Sequence, residues 1–304
     1  PDATRDIDAL LQGLRPLLGK DFGSYRDLSL EELAIHDPDP RAPRWTRSSE
    51  PGEDVLDVLV IGAGLSGLLA AHRFRQAGLS VLVLDKNDDI GGTWLENSYP
   101  GCRADVPSHL YCYSADAGFH WRDEFATRDE IMDSLRHFVA ERDLAGHLRL
   151  GHEVTEAAWD QSSLRWTVRA EGPDGPETFE ALAVVSAVGQ LNRPSIPEIA
   201  GQADFAGRQF HSARWDHDAP IDGRRFAVVG TGASAIQIVT GLLEAGASVT
   251  VFQRSPTWLY PTAELRRPID DGNRWLLANV PTYARWYRLW LHRSVSDGLL
   301  PFAD

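Results

Sequence analysis

The chain has 304 residues, 43% of them apolar and 24% charged, which fits a soluble globular protein with one large or two ordinary domains. Thirty Lys and Arg against 44 Asp and Glu give a net charge of −14, so nucleic acid and anionic membrane surfaces are excluded as expected partners by like-charge repulsion. Two cysteines, Cys102 and Cys112, make neither a disulfide framework nor a CxxC or zinc pattern; reduced thiols, a cytoplasmic location and no metal are expected.

In chain order, residues 1–36 read as short helices, with Ile7, Leu10, Leu11, Leu14 and Leu18 at helical spacing and Leu30 and Leu33 continuing the pattern. The N-terminus lacks the basic-then-apolar pattern of a signal peptide. Residues 37–54 are rich in proline and charge and read as a linker. From Val55 to Ile61 runs an apolar strand of the kind buried on both faces of a parallel sheet. Gly62-Ala63-Gly64-Leu65-Ser66-Gly67 follows, then a helix expected to turn Leu65, Leu68, Leu69 and Phe74 to the sheet. Gly78 is placed to end it in a left-handed C-cap. A second strand, Leu79 to Leu84, leads to Asp85.

Each part of that pattern has a physical task. Gly62 permits the tight turn, Gly64 lets backbone approach a pyrophosphate, and Gly67 lets helix and strand pack closely. The helix N-terminus offers free N–H groups and a positive dipole end to phosphate, and Asp85 can accept from a ribose diol. The pattern recurs at Arg225 to Val229, Gly230-Thr231-Gly232-Ala233-Ser234-Ala235 and a helix with Ile236, Val239, Leu242 and Leu243 as its expected buried face. Gly246 and a strand from Ser248 to Phe252 complete it. Here Gln253-Arg254-Ser255 stands where the first copy has Asp85. A guanidinium pairs with a 2′-phosphate that a carboxylate would repel. The first turn is therefore expected to hold FAD and the second NADPH, with Gly230, Gly232, Ser234 and Ala235 at the pyrophosphate and Arg254 and Ser255 at the 2′-phosphate. Two such sites imply electron flow from nicotinamide to flavin. That leaves disulfide reductases, nitrogen- or sulfur-directed hydroxylases and ketone monooxygenases open. The reductase reading needs two close cysteines after the first helix, which Cys102 and Cys112 do not supply.

The intervening stretches decide further. Gly91, Gly92, Trp94, Tyr99, Pro100, Gly101 and Asp105 form a GGxW…[FY]PG…D pattern, and Phe205, Gly207, His211, Trp215 and Asp216 form FxGxxxHxxxWD. Together they resemble the two signatures of type I Baeyer–Villiger monooxygenases. Residues 186–194 are similar to that family's inter-domain link, and 281–293 with the N-terminal extension are similar to its 4-hydroxyacetophenone monooxygenase branch. By itself, 281–293 is a basic aromatic helix with Trp286 and Trp290 one turn apart. The expected fold class is α/β: two Rossmann-like dinucleotide-binding domains, an N-terminal helical extension and the start of a helical insertion. The expected boundaries are 1–52 extension and linker, 53–194 FAD domain, 195–261 NADP domain and 262–304 insertion.

The resemblance implies hydride transfer from NADPH to FAD, a C4a-peroxyflavin formed with O2, and oxygen insertion beside a ketone carbonyl to give an ester or lactone. Asp105 and His211 are the candidate catalytic residues: the resemblance implies that Asp105 orients an active-site arginine, and His211, tempting as a general base, is expected to have a structural and gating role in the link. Lys86, Thr93, Trp94, Asp105, Tyr111, Val154 and Gln190 complete the expected flavin-side set. His36, His152 and His292 have no partner at meaningful spacing and are expected at the surface. No arginine here matches the partner of Asp105, so the chain reads as an N-terminal portion that would not turn over ketones alone. Oxygenation of nitrogen or sulfur, or nucleotide binding without catalysis, are the rival expectations, and a homodimer is an open one.

Overall fold

The computed structural model describes residues 13, 26–34, 37, 39–48, 55–114, 119–259, 262, 265–280 and 282–299. The elements are Arg26–Glu32 (α1), Leu56–Ile61 (β1), Leu65–Gln76 (α2), Val81–Asp85 (β2), Thr93–Glu96 (α3), Arg128–Glu141 (α4), Leu148–Leu150 (β3) and Glu153–Asp160 (β4). They continue with Arg165–Gly172 (β5), Gly175–Ser186 (β6), Arg225–Val229 (β7), Ala233–Glu244 (α5), Ser248–Phe252 (β8), Asp271–Asn279 (α6) and Tyr283–Leu299 (α7). They fall into two compact units. A sheet unit spans Pro43–Ala104 and Ala126–Thr262, and a helical unit gathers Pro1–Ala42, Asp105–Phe125 and Ala263–Asp304.

In the sheet unit, six strands run in the order β3-β2-β1-β6-β5-β4. β1 pairs in parallel with β2 and β6, β2 in parallel with β3, and β4-β5-β6 form an antiparallel meander. Residues 57–60 of β1 are buried in succession, as a strand covered on both faces requires. The polar member of that run, Asp57, accepts from Ser80 N (2.8 Å) and Ser80 Oγ (3.0 Å) and pairs with Arg47. Burial alone would raise its carboxyl, but these partners hold it below its ordinary value. Arg47 N also donates to Ala77 O (2.8 Å), so this part of the proline-rich linker is fastened to the sheet unit. Leu59, Leu84, Val168, Ala170 and Ala181 form a core beneath β1, β2, β5 and β6. β6 runs through the apolar residues 181–185 and ends at Ser186.

Both dinucleotide helices bury one of the expected residues, Leu68 and Leu242, but the rest of the buried face differs from the one the apolar residues suggest. In α2 the buried set is Gly67, Leu68, Ala71 and His72, while Leu65, Leu69 and Phe74 are only half-buried. In α5 it is Ile238, Gly241 and Leu242, and Ile236 and Leu243 are exposed. The cause is the same in each: the helix makes its closest approach through a glycine. A Cβ on Gly67 would lie 1.8 Å from Gly62 O, and one on Gly241 would lie 2.5 Å from Pro100 O. The small residue fixes which face turns inward, and the larger side chains follow.

Two of the three histidines expected at the surface are engaged. His152 is buried, with Nδ1 2.8 Å from Leu150 O and Nε2 2.9 Å from Glu177. His292 is half-buried beside Glu32 at 3.5 Å. Their partners come from other turns and strands, which local spacing does not reveal. His36 and the apolar residues of the 7–18 pattern lie outside the described residues. In the helical unit α7 confirms the expected aromatic helix, and its Arg288 pairs with Glu32 of α1 at 2.6 Å. Among the described residues no helix is long and apolar enough to cross a membrane, and no His/Cys/Asp/Glu cluster could hold a metal.

Candidate dinucleotide sites

At the first turn, Gly62 has φ +109° and a Cβ there would lie 2.5 Å from Ala187 O at the end of β6. Glycine is thus required both by the turn and by its neighbour. Gly64 caps α2 with φ −80° and no side-chain hydrogen bond; Gly232 caps α5 in the same manner. Helices α4 and α6 contrast with these. Thr127 accepts from Glu130 N (3.3 Å) at α4, and Asp270 accepts from Asn273 N (3.0 Å) at α6. Neither dinucleotide helix has a side-chain hydrogen bond at its N-cap, which fits a pyrophosphate at each N-terminus.

The Gly91-Gly92 pair packs directly on this loop. Gly91 N donates to Ala63 O (3.0 Å), and a Cβ on Gly92 would lie 3.1 Å from the Gly64 Cα. Gly91 has φ +123° and is pressed by Met132, whose Sδ would be 2.5 Å from a Cβ. Trp94 is buried, and its carbonyl accepts from Arg128 Nε (2.7 Å); Thr93 is exposed. Asp85 is buried at the end of β2, accepting from Ala63 N (2.6 Å), Asn87 N (2.8 Å) and Asn87 Nδ2 (3.0 Å). A carboxylate has about four acceptor positions. Three of these are taken in Asp85, one of them by the glycine turn through Ala63 N, a task that its place in the sequence does not announce. Lys86 pairs with Glu96 at 3.1 Å. Val154 on β4 is half-buried against the sheet core, and Gln190, beyond β6, is exposed.

At the second turn, Gly230 (φ +118°) and Gly232 have open space where a side chain would stand. Gly230 N donates to Phe252 O (3.0 Å), tying the turn to β8. Thr257 Oγ1 lies 2.7 Å from Thr231 Oγ1 and donates to Thr231 O (3.0 Å). This folds the loop carrying Arg254 and Ser255, both exposed, back to the turn. Ala235 follows Ser234 at the start of α5.

The segment after Trp94 joins the two turns. Glu96 is also 3.3 Å from Arg214, and Ser98 Oγ is 2.7 Å from His217 Nε2. Burial would raise the Glu96 carboxyl, but Lys86 and Arg214 hold it below its ordinary value. Tyr99 donates to Ser234 Oγ (3.3 Å) and Gln237 Oε1 (3.1 Å) of α5. Gln237 Nε2 donates to Arg103 O (3.0 Å), and Arg103 N donates to Gln237 Oε1 (3.2 Å). None of Glu96, Arg214, His217 or Gln237 was anticipated; the one available signal was Gln237 lying one helical turn beyond Ser234. His211 Nδ1 accepts from Ala213 N (3.1 Å), capping the short turn 212–214. In the same signature Phe205 lies over Gly207, where a Cβ would come 2.5 Å from the ring, and Trp215 meets Phe210 edge-on at 5.0 Å. Asp105, exposed, and Tyr111, half-buried, belong to the helical unit.

Two α/β dinucleotide-type turns in one chain, joined by such a segment, define a two-nucleotide oxidoreductase architecture. A model for NAD(P)-binding Rossmann-like domains matches residues 60–126. That for L-lysine 6-monooxygenase/L-ornithine 5-monooxygenase matches 118–273, just over half of the chain. A Baeyer–Villiger monooxygenase of Streptomyces coelicolor is 43% identical over 77% of this chain and 44% of its own length. The solved structure "OTEMO complex with FAD and NADP" aligns with a TM-score of 0.68 and 33% identity, over 75% of this chain and 44% of its own. Cyclohexanone monooxygenase from Rhodococcus sp. Phi1 bound to NADP+ aligns at 0.66 and 32%, over 82% and 44%. The chain belongs to the monooxygenase family that the longer match describes, and Baeyer–Villiger monooxygenases are its homologues. It spans less than half the length of these relatives.

Proposed function

We propose that the protein is an FAD- and NADPH-dependent monooxygenase that inserts one atom of O2 beside a ketone carbonyl. Ketone, O2, NADPH and a proton become ester or lactone, water and NADP+. The observation that carries this reading is the pair of glycine-turn helices without side-chain caps in one unit, one followed by Asp85 and the other by Arg254, with the GGxW signature packed between them. Bound FAD supplies the activation of O2, and NADPH the reducing equivalents.

The chain's own residues bind and orient. Gly62, Gly64 and Gly67 leave room at the first pyrophosphate, and the remaining acceptor capacity of Asp85 serves a ribose hydroxyl. Gly230, Gly232, Ser234 and Ala235 serve the second pyrophosphate, with Arg254 and Ser255 at the 2′-phosphate. Asp105 is assigned to hold an arginine, and His211, with Nδ1 committed to Ala213 N, to shape the link rather than to act as a base. The relatives' names support ketone oxidation. The family description supports a second reading, oxygenation of a side-chain amine.

The test is product analysis of the protein in full-length form with NADPH and O2, using cyclohexanone and 4-hydroxyacetophenone against lysine, ornithine and a thioether. Ester or lactone is expected; hydroxylated amine without ester would overturn the ketone reading. Arg254→Ala is expected to weaken NADPH binding about 10- to 100-fold and leave NADH within about twofold, as loss of a charge-assisted phosphate contact predicts.

A further inference from the structure

We propose that Gln237 is the positioning residue that couples nicotinamide-nucleotide binding at α5 to the flavin-side signature, an inference that rests on the two-nucleotide reading above. Gln237 does what a neighbouring strand would do for one residue: its amide both donates to Arg103 O and accepts from Arg103 N. The same Oε1 accepts from Tyr99 OH, which also reaches Ser234 at the start of α5.

The backbones meet with no slack around these bonds. Gly101, at φ +82°, approaches so closely that a Cβ would lie 2.8 Å from Gln237 O, and Gly241 meets Pro100 as described. A shift of α5 is therefore delivered to residues 99–103 rather than absorbed by soft side chains. From there the path continues on the flavin side. Cys102 O accepts from Arg128 N (2.9 Å), and Arg128 Nε donates to Trp94 O (2.7 Å). Trp94 in turn follows the Gly91-Gly92 pair that packs on the first glycine turn. Every link is a hydrogen bond or a backbone contact within the sheet unit. Gln237 is where the path crosses from one nucleotide's helix to the other's signature.

The experiment measures the NADP+ affinity of the full chain by calorimetry, with and without saturating FAD. The same is done for Gln237→Leu and Gln237→Glu. For the wild type, FAD is expected to tighten NADP+ about tenfold, within the usual range of coupling between sites, and NADP+ to tighten FAD by the same factor. Gln237→Leu is expected to bind each nucleotide alone within about twofold of wild type, with the coupling factor reduced to near one. Gln237→Glu keeps both accepted hydrogen bonds and removes the donor to Arg103 O, so an intermediate factor is expected. Hydrogen exchange at the Arg103 amide, protected in the wild type and in Gln237→Glu but exposed in Gln237→Leu, reports the hydrogen bond without nucleotide.

An undiminished factor in Gln237→Leu, or no coupling in the wild type although both nucleotides bind, overturns the assignment and leaves the two-nucleotide reading intact. Failure of the wild type to bind either nucleotide overturns that reading and the inference with it. If Gln237→Leu fails to fold, Gln237→Glu decides: a wild-type factor there, where Arg103 O has no side-chain donor, overturns the proposal.

Discussion

Gly64 and Gly67 lie three positions apart, and their surroundings make opposite demands. A methyl on Gly67 would fall 1.8 Å from Gly62 O, where backbone meets backbone and neither side can rotate away. Gly67→Ala is expected to lose about 2–3 kcal/mol of stability, the upper range for overpacking, visible as a lower Tm without any ligand. A methyl on Gly64 meets only Gly92, with Cα at 3.6 Å and N at 3.9 Å, and φ −80° suits any residue. Gly64→Ala is expected to keep a near-wild-type Tm and to lose FAD binding by at least tenfold, because the methyl takes the space of the pyrophosphate. Wild-type FAD affinity in that variant would show that the helix start is not the phosphate site. The glycine pattern was legible in the sequence because each position answers to one local constraint. The second task of Asp85 was not: the Ala63 N–H that it accepts lies 22 residues away in sequence. Nor was Gln237, 134 positions from Arg103.

Elements show the same division between local pattern and distant partner. The sequence marks 281–293 as a basic aromatic helix, but local spacing does not show what its basic residues meet. Arg288 is nearly buried against Glu32 of α1, and it also donates to His109 O (2.5 Å). Burial raises the Glu32 carboxyl, but hydrogen bonding to His292 and the Arg288 guanidinium outweigh it and bring it down to about 2. The folded value lies below the ordinary 4.5. Ionised Glu32 therefore stabilises the fold fully above about pH 4.5, and that contribution fades as pH falls through about 2. It amounts to about 3 kcal/mol, from the size of the shift. Glu32→Gln is expected to lower stability at pH 7 by a similar amount, since it strands the buried guanidinium, and to flatten the denaturation profile between about pH 4.5 and 2. An unchanged profile would mean that the α1–α7 pair contributes nothing net.

On the scale of the whole molecule, both units bury ionisable side chains beside apolar ones, Asp57, Asp85 and His152 in the sheet unit among them. The sheet unit is held by Leu59, Leu84, Val168, Ala170 and Ala181. The helical unit buries Glu32, and Glu124, which accepts from Tyr287 OH at 3.0 Å, with His109 edge-on to Tyr287 at 5.1 Å. Burial first, and then the Arg288 charge, push the His109 imidazole down to about 4. A histidine lowered in the folded state takes up a proton on unfolding, so stability falls as pH drops from about 6.5 toward 4, by about 2 kcal/mol at pH 5. The lowered carboxyls of the sheet unit, Asp57 and Glu96, titrate below their ordinary values and are silent in that window. Acidification from pH 7 to 5 is therefore expected to weaken amide protection first in α1 and α7, after correction for intrinsic exchange, while β1, β2 and β6 hold. FAD and NADP+ act on the other unit: each, at about 100 times its Kd, is expected to add about 2.7 kcal/mol of protection around β1–α2 or β7–α5. Simultaneous loss in both units at pH 5, or equal nucleotide protection of α7, would show that acid and ligand act on one cooperative body. The acid-sensitive chemistry would then not be confined to the unit that contains His109.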